Sequence, residues 1–119
     1  QENIRLDISI GAKLPESISD YDLCGIFGNI LDNAIEACRG CDGESFIKLS
    51  VRDQLDMLCI FCENPFSGAV GTDLGTTKPD KSAHGFGIKR IGQLAKKYDG
   101  CVNISAENHI FSISVLLQK

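Results

Sequence analysis

Residues 23–38, LCGIFGNILDNAIEAC, constrain the fold of this chain more than any other stretch. Leu23, Ile26, Phe27, Ile30, Leu31, Ala34, Ile35 and Cys38 recur at the i, i+3, i+4, i+7 spacing of a helix with one buried face. Such a stripe needs a second layer to bury it. Ser19-Asp-Tyr-Asp22 ahead of it has the form of a capping box, and Gly40 and Gly43 follow it, so the helix is expected roughly from Asp20 to Arg39. Its other stripe is Asn29, Asp32, Asn33 and Glu36. Asparagine is a poor helix former because its amide competes for nearby backbone hydrogen bonds. Two of them one turn apart, beside two carboxylates, call for a reason.

The second layer is written in period two. NIRLDISI alternates Ile4, Leu6, Ile8 and Ile10 with Arg5, Asp7 and Ser9, which predicts a half-buried strand. SFIKLSVR alternates Ile47, Leu49 and Val51 with Lys48, Ser50 and Arg52, and a turn at Asp53–Asp56 leads into MLCIFCEN. That segment is apolar on both faces, as a central strand is. A second helix is expected from about Gly87 to Tyr98, with Ile88, Ile91, Leu94, Ala95 and Tyr98 inward, closing on Lys96, Lys97 and Gly100. CVNISAE and IFSISVLL form a last hairpin with His109 in its turn. The order β-α-β-β-loop-α-β-β predicts an α+β fold: a two-layer α/β sandwich with a mixed, mostly antiparallel sheet and its helices on one face. From about 65 to 84 the periodicity dissolves into Gly, Pro and turn formers, and a loop of that length in a compact domain is expected to be either a functional lid or disordered.

The 119 residues make one domain, 1–119, and 43% apolar with 24% charged residues is the composition of a soluble globular protein. Apolar runs are too short to span a membrane, and a net charge of −4 weighs against nucleic-acid binding. The chain opens on Gln without a leader, so it is expected to be a fragment of a longer protein. Cys38-x-x-Cys41 and Cys59-x-x-Cys62 have the spacing of a four-cysteine zinc module. On a strand, however, positions 59 and 62 face opposite sides. Small buried thiols in a reducing cytosol are the expected reading, with the zinc module as the alternative.

An acidic chain carries Lys78, Lys81, Lys89 and Arg90 against only Asp80 between Thr76 and Arg90. HGFGIKR, read as the start of the second helix, combines glycines that allow close approach with the free N–H groups of a helix N-terminus. Lys89 and Arg90 in that first turn oppose the helix dipole unless an anion docks there. The anion that needs this much positive charge is a polyphosphate. A polyphosphate travels with Mg²⁺, which takes oxygen ligands, and Asn29 and Asn33 would present theirs from one helix face without adding negative charge.

GNILDNAIEA is similar to the N box, and HGFGI to the G2 box, of the GHKL ATP-binding (Bergerat) fold shared by histidine kinases, Hsp90, MutL and type II topoisomerases. TTKPDKSAHGFGIKRI resembles the lid and G2 segment of sensor kinases related to Gram-positive peptide-pheromone receptors, and the likeness runs from about Ile4 to Leu117. The resemblance implies ATP and Mg²⁺ as cofactors. By position, Asn33 is the principal Mg²⁺ ligand with Asn29 beside it, and Asp32, Glu36, Phe86 and Ile88 belong to the same two boxes. Gly85 and Gly87 admit backbone N–H groups to the phosphates, and Lys78 and Lys89, with Thr77 and His84, neutralise them. Asn64 stands where the family has the G1-box aspartate that binds the adenine amino group. It accepts from that group without charge assistance. Glu36 stands where many kinases carry a basic residue.

Hydrolytic members of the family have a glutamate at the first N-box position, whereas Asn29 cannot act as a general base. The reading is a sensor histidine kinase catalytic domain of a two-component system. It holds ATP·Mg and donates the γ-phosphate to a histidine on a separate, upstream dimerising helical hairpin, with a response regulator downstream. A degenerate nucleotide-sensing module acting through protein contacts is the alternative on the same fold, and a serine-kinase anti-sigma factor is another. The resemblance implies a cytoplasmic domain of a membrane-anchored bacterial protein, with no membrane contact of its own, and the fragment alone is expected to be a monomer.

Overall fold

The computed structural model describes residues 4–41, 45–66 and 82–119, the side chains of 82–86 excepted. The elements are β1 (Ile4–Gly11), α1 (Asp20–Arg39), β2 (Ser45–Gln54), β3 (Met57–Pro65), α2 (Ser82–Lys97), β4 (Cys101–Glu107) and β5 (Ile110–Gln118). The strands form one sheet in the order β1-β2-β3-β5-β4. β1 runs parallel to β2 and all other neighbours are antiparallel. This is the expected mixed α+β sandwich, with the doubly apolar β3 at its centre. No helix among the described residues is long and apolar enough to cross a membrane.

The core is where period two meets period 3.6. Ile47, Leu49 and Val51 of β2, Leu58, Ile60 and Cys62 of β3, and Phe111, Ile113, Val115 and Leu117 of β5 are buried. They pack with Leu23, Ile26, Ile30, Ala34 and Cys38 of α1 and with Ile91, Leu94 and Ala95 of α2 in one cluster. Each buried Val, Leu, Ile or Phe among them gains about 1.5–3 kcal/mol from leaving water. Neither helix, with its polar stripe, would be stable without that sheet.

β1 departs from its pattern. Leu6, Ile8 and Ile10 lie in register beside Ile47, Leu49 and Val51, yet they are 57%, 49% and 65% exposed. The expected half-buried strand is an exposed edge. The cause is the footprint of the helices: α1 lies over β2 and β3, and α2 over β4 and β5.

α2 begins at Ser82, five residues before the glycine at which the sequence pattern places its start. The expected lid of 65–84 is therefore shortened at both ends. Pro65 closes β3, and residues 82–84 are helical. Phe66 is buried, and its N–H donates to the carbonyl of His109 at 2.9 Å. Residues 67–81 of that segment lie outside the described residues.

At the other end of α2 the cap is not Gly100. Asp99 takes the left-handed conformation, φ 55°. The N–H of Gly100 donates to Ala95 O at 2.8 Å and that of Asp99 to Lys96 O at 3.0 Å, the pair of bonds of a Schellman motif. Gly100 is required for a different reason. A Cβ there would stand 1.7 Å from the carbonyl oxygen of Leu116.

Candidate functional site

α1 and α2 lie side by side, and their contacts run in opposite chain directions. Asp22 meets Lys97, Gly25 faces Leu94, and Asn29 faces Gly87. The helices are thus antiparallel, and the two segments singled out in the sequence, GNILDNAIEA and HGFGI, are brought together. Asn29 is half-buried. Its Nδ2 donates to the carbonyl of Gly25 at 2.8 Å, so the donor half of the amide is tied to its own helix. The acceptor Oδ1 faces α2, where a Cβ on Gly87 would lie only 3.6 Å from it. Glycine at 87 therefore keeps the space before that oxygen open.

The remaining polar residues of α1 divide. Asn33 is half-buried one turn on, whereas Asp32 and Glu36 are exposed. Glu36 pairs with Arg39 at 4.0 Å, both more than half exposed, an i, i+3 contact worth about 0.2–0.5 kcal/mol.

Asn64, on the helix side of β3, is 1% exposed. Its Nδ2 donates to Pro65 O at 2.8 Å. Its Oδ1 has no hydrogen-bond partner among the described residues. A buried acceptor left in that state costs about 1–3 kcal/mol. Such a group fits a ligand that brings an N–H donor.

The early start of α2 corrects the placing of its cations. The N–H groups without intrahelical partners are those of the first turn, which spans Ser82 to Gly85. Gly85 is in that turn, but Gly87, Ile88, Lys89 and Arg90 are in the helix interior. The dipole argument for Lys89 and Arg90 therefore fails, although both are exposed and free to reach an anion. Ile88 packs against the core. Thr77 and Lys78 lie outside the described residues, as do the side chains of His84 and Phe86.

Asp22 has the sequence position of half a capping box, and only one half of that box forms. Ser19 Oγ accepts from the Asp22 N–H at 3.1 Å. The carboxylate instead accepts from Lys97 Nζ at 2.8 Å and from the Tyr98 hydroxyl. These two donors, Lys97 first, hold its pKa at about 2, below the ordinary 3.8, and the pair raises Lys97 above its usual 10.5. The sequence pattern does not mark Asp22 and Gly25 as contact points between the helices. A glycine inside a well-patterned helix, costing about 1 kcal/mol against alanine, is the available signal for Gly25.

The cysteines separate as strand geometry requires. Cys62 is in the core, and burial pushes its thiol up to about 12, while Cys59 lies half-buried on the uncovered face. Cys38 is raised as well, chiefly by burial.

The sequence comparison names the class of this two-layer sandwich. The GHKL domain model matches residues 18–118, so the chain belongs to the GHKL domain family. A search of curated proteins found no match. Among solved structures, the histidine kinase AdeS of Acinetobacter baumannii is similar at 11% identity and TM-score 0.67, over 98% of this chain and 54% of that one. A blue-light-activated histidine kinase of Erythrobacter litoralis is similar at 10% identity and TM-score 0.73, over 99% of this chain and 36% of that one. The catalytic domain of the histidine kinase ThkA is similar at 17% identity and TM-score 0.69, over 98% of this chain and 80% of that one. At these identities the likeness is one of fold. The chain spans about half the length of the AdeS chain.

Proposed function

We propose that this domain binds ATP·Mg and presents the γ-phosphate to a histidine on a separate helical hairpin, as the catalytic part of a two-component sensor kinase. The observation that carries the reading is the Asn29–Gly87 approach, an amide oxygen with no hydrogen-bond partner among the described residues, facing a glycine on the neighbouring helix. The acceptor of Asn64, without a partner among the described residues, supports it, since an adenine amino group is a donor of the kind that oxygen would take. Asn29 and Asn33 would hold Mg²⁺, whose chemistry is to neutralise the phosphates and orient them for transfer. Gly85, in the first turn of α2, would offer its backbone N–H to phosphate. Thr77, Lys78, His84 and Lys89 would supply charge and donors, with Phe86, Ile88, Asp32 and Glu36 flanking them.

Phosphoryl transfer asks little covalent work of a protein, and positioning with charge neutralisation suffices. The side chain at position 29 on the open face of α1 cannot activate water, so the bound nucleotide is kept for another nucleophile. A response regulator would be the onward partner. A degenerate sensing module has one observation in its favour: Asn64 meets adenine without the charge of an aspartate.

Calorimetric titration of ATP with Mg²⁺ into the domain, beside Asn33→Ala, tests the reading. Binding that weakens tenfold or more, about 1.4 kcal/mol, in the variant supports it. Absence of binding by the wild type overturns it in favour of the degenerate module.

A further inference from the structure

Three of the contacts between α1 and α2 differ in kind. Gly25–Leu94 and Asn29–Gly87 each set a glycine against a side chain. At these two points dispersion, together with the apolar packing of Ile26 and Ile30 with Ile91 and Leu94, sets how the helices lie, but it is not directional. The third meeting is directional. Asp22 accepts from Lys97 Nζ and the Tyr98 hydroxyl, the Tyr98 oxygen accepts from the Ser19 N–H at 3.2 Å, and Ser19 Oγ accepts from the Asp22 N–H. Asp22, Tyr98 and Ser19 thus close a ring in which each residue holds the other two. Tyr98 is also fixed from the sheet, where its carbonyl accepts from Gln118 N–H at 2.9 Å. The Asp22 side chain is only 4% exposed, so its charge has little water to turn to if the ring opens.

We propose that Asp22 is a positioning residue for the nucleotide site. Its ring sets the axial register of α2 on α1, so that Gly87 stays opposite Asn29 Oδ1. The inference rests on the nucleotide-binding reading above. Seven residues of helix separate Asp22 from Asn29, about 10 Å at 1.5 Å per residue. A slip of one residue rise along α2, about 1.5 Å, takes the open space of Gly87 out of line with the oxygen. The polar ring therefore adds a directional stop to the apolar packing of the two helices, and it lies away from the residues it aligns.

The test compares Asp22→Asn, Tyr98→Phe and Lys97→Arg with wild type in three measurements: urea unfolding, amide hydrogen exchange at residues 87–91, and titration with Mg·ATP. Val115→Ala, a core truncation in β5, is the control for lost stability without lost register. Asp22→Asn and Tyr98→Phe are expected to unfold cooperatively, to exchange faster at 87–91, and to bind Mg·ATP at least fivefold more weakly. Lys97→Arg, which keeps the cation, should stay within twofold of wild type. Val115→Ala should lose stability yet bind within twofold of wild type. Wild-type affinity in Asp22→Asn, or equal weakening in Val115→Ala, overturns the proposal. If wild type itself binds no nucleotide, the functional reading falls and exchange alone decides. Unchanged protection at 87–91 in Asp22→Asn then sinks the register claim, and faster exchange there, absent in Val115→Ala, sustains it.

Discussion

The two ends of the α1–α2 pair use similar residues and finish them differently. At the Asp22 end, carboxylate, phenol, ammonium and serine are all matched to one another. At the Asn29 end, the amide nitrogen is tied to Gly25 O, and in β3 the nitrogen of Asn64 is tied to Pro65 O. In both asparagines the donor is used inside the fold, and the acceptor has no partner among the described residues. Folding alone gives no reason to leave a buried acceptor unmatched. A closed end holds the helices, and an open end receives something. The way to break this contrast is to damage one end and ask whether the other responds.

The largest effect is expected just beyond the closed end. Gly100→Ala would force a methyl against the Leu116 carbonyl, where it would stand at 1.7 Å. The Schellman turn and the start of β4 must both shift, at a cost of about 3 kcal/mol or more. A drop of that size in the unfolding free energy from urea titration checks it, and near-neutral behaviour would show that α2 is not pinned to β5 there.

Acid reads the closed end next. The folded state holds the Asp22 carboxyl at about 2 against an ordinary 3.8. Unfolding therefore takes up a proton between those values. The stabilisation is complete above the ordinary value and is lost as pH falls toward 2. Lys97, raised from 10.5, contributes below that value and loses its share as pH climbs past it. Urea midpoints measured from pH 7 down to 2 should fall less steeply in Asp22→Asn than in wild type. Identical acid limbs would remove the ring from the account of stability.

How much of this is legible in the sequence depends on how local each signal is. α1 is readable to its ends, because a stripe, a serine cap and Gly40 all lie within or beside the segment itself. The polar stripe also leads to the site, since a periodicity shows which residues share a face. The start of α2 is not readable, because the glycines at 85 and 87 suggest a boundary where the helix in fact continues. The exposure of β1 is not readable either. Period two says that Leu6, Ile8 and Ile10 share a face, but only the footprint of the helices decides whether anything covers it. The Asp22–Lys97 pair lies 75 residues apart in sequence, and each partner has a sufficient local explanation, as cap and as dipole partner. Long-range polar pairing leaves no period to read.

The smallest effect is the one that separates stability from function most cleanly. Gly87 sits inside α2, and among the described residues a Cβ there meets only Asn29, at 3.6 Å from Oδ1, an ordinary contact. Its φ is not in the left-handed region. Gly87→Ala therefore carries no backbone strain and should gain helix propensity, about 0.5–1 kcal/mol. The same methyl occupies the space that keeps the Asn29 oxygen open. The variant should be slightly more stable in urea than wild type and bind Mg·ATP more weakly. Most substitutions that weaken a site by loosening the fold move both measurements down together. A gain in one with a loss in the other arises only if Gly87 is there for the ligand rather than for the helix. Unchanged affinity with raised stability would mean that the open end is merely unfinished packing.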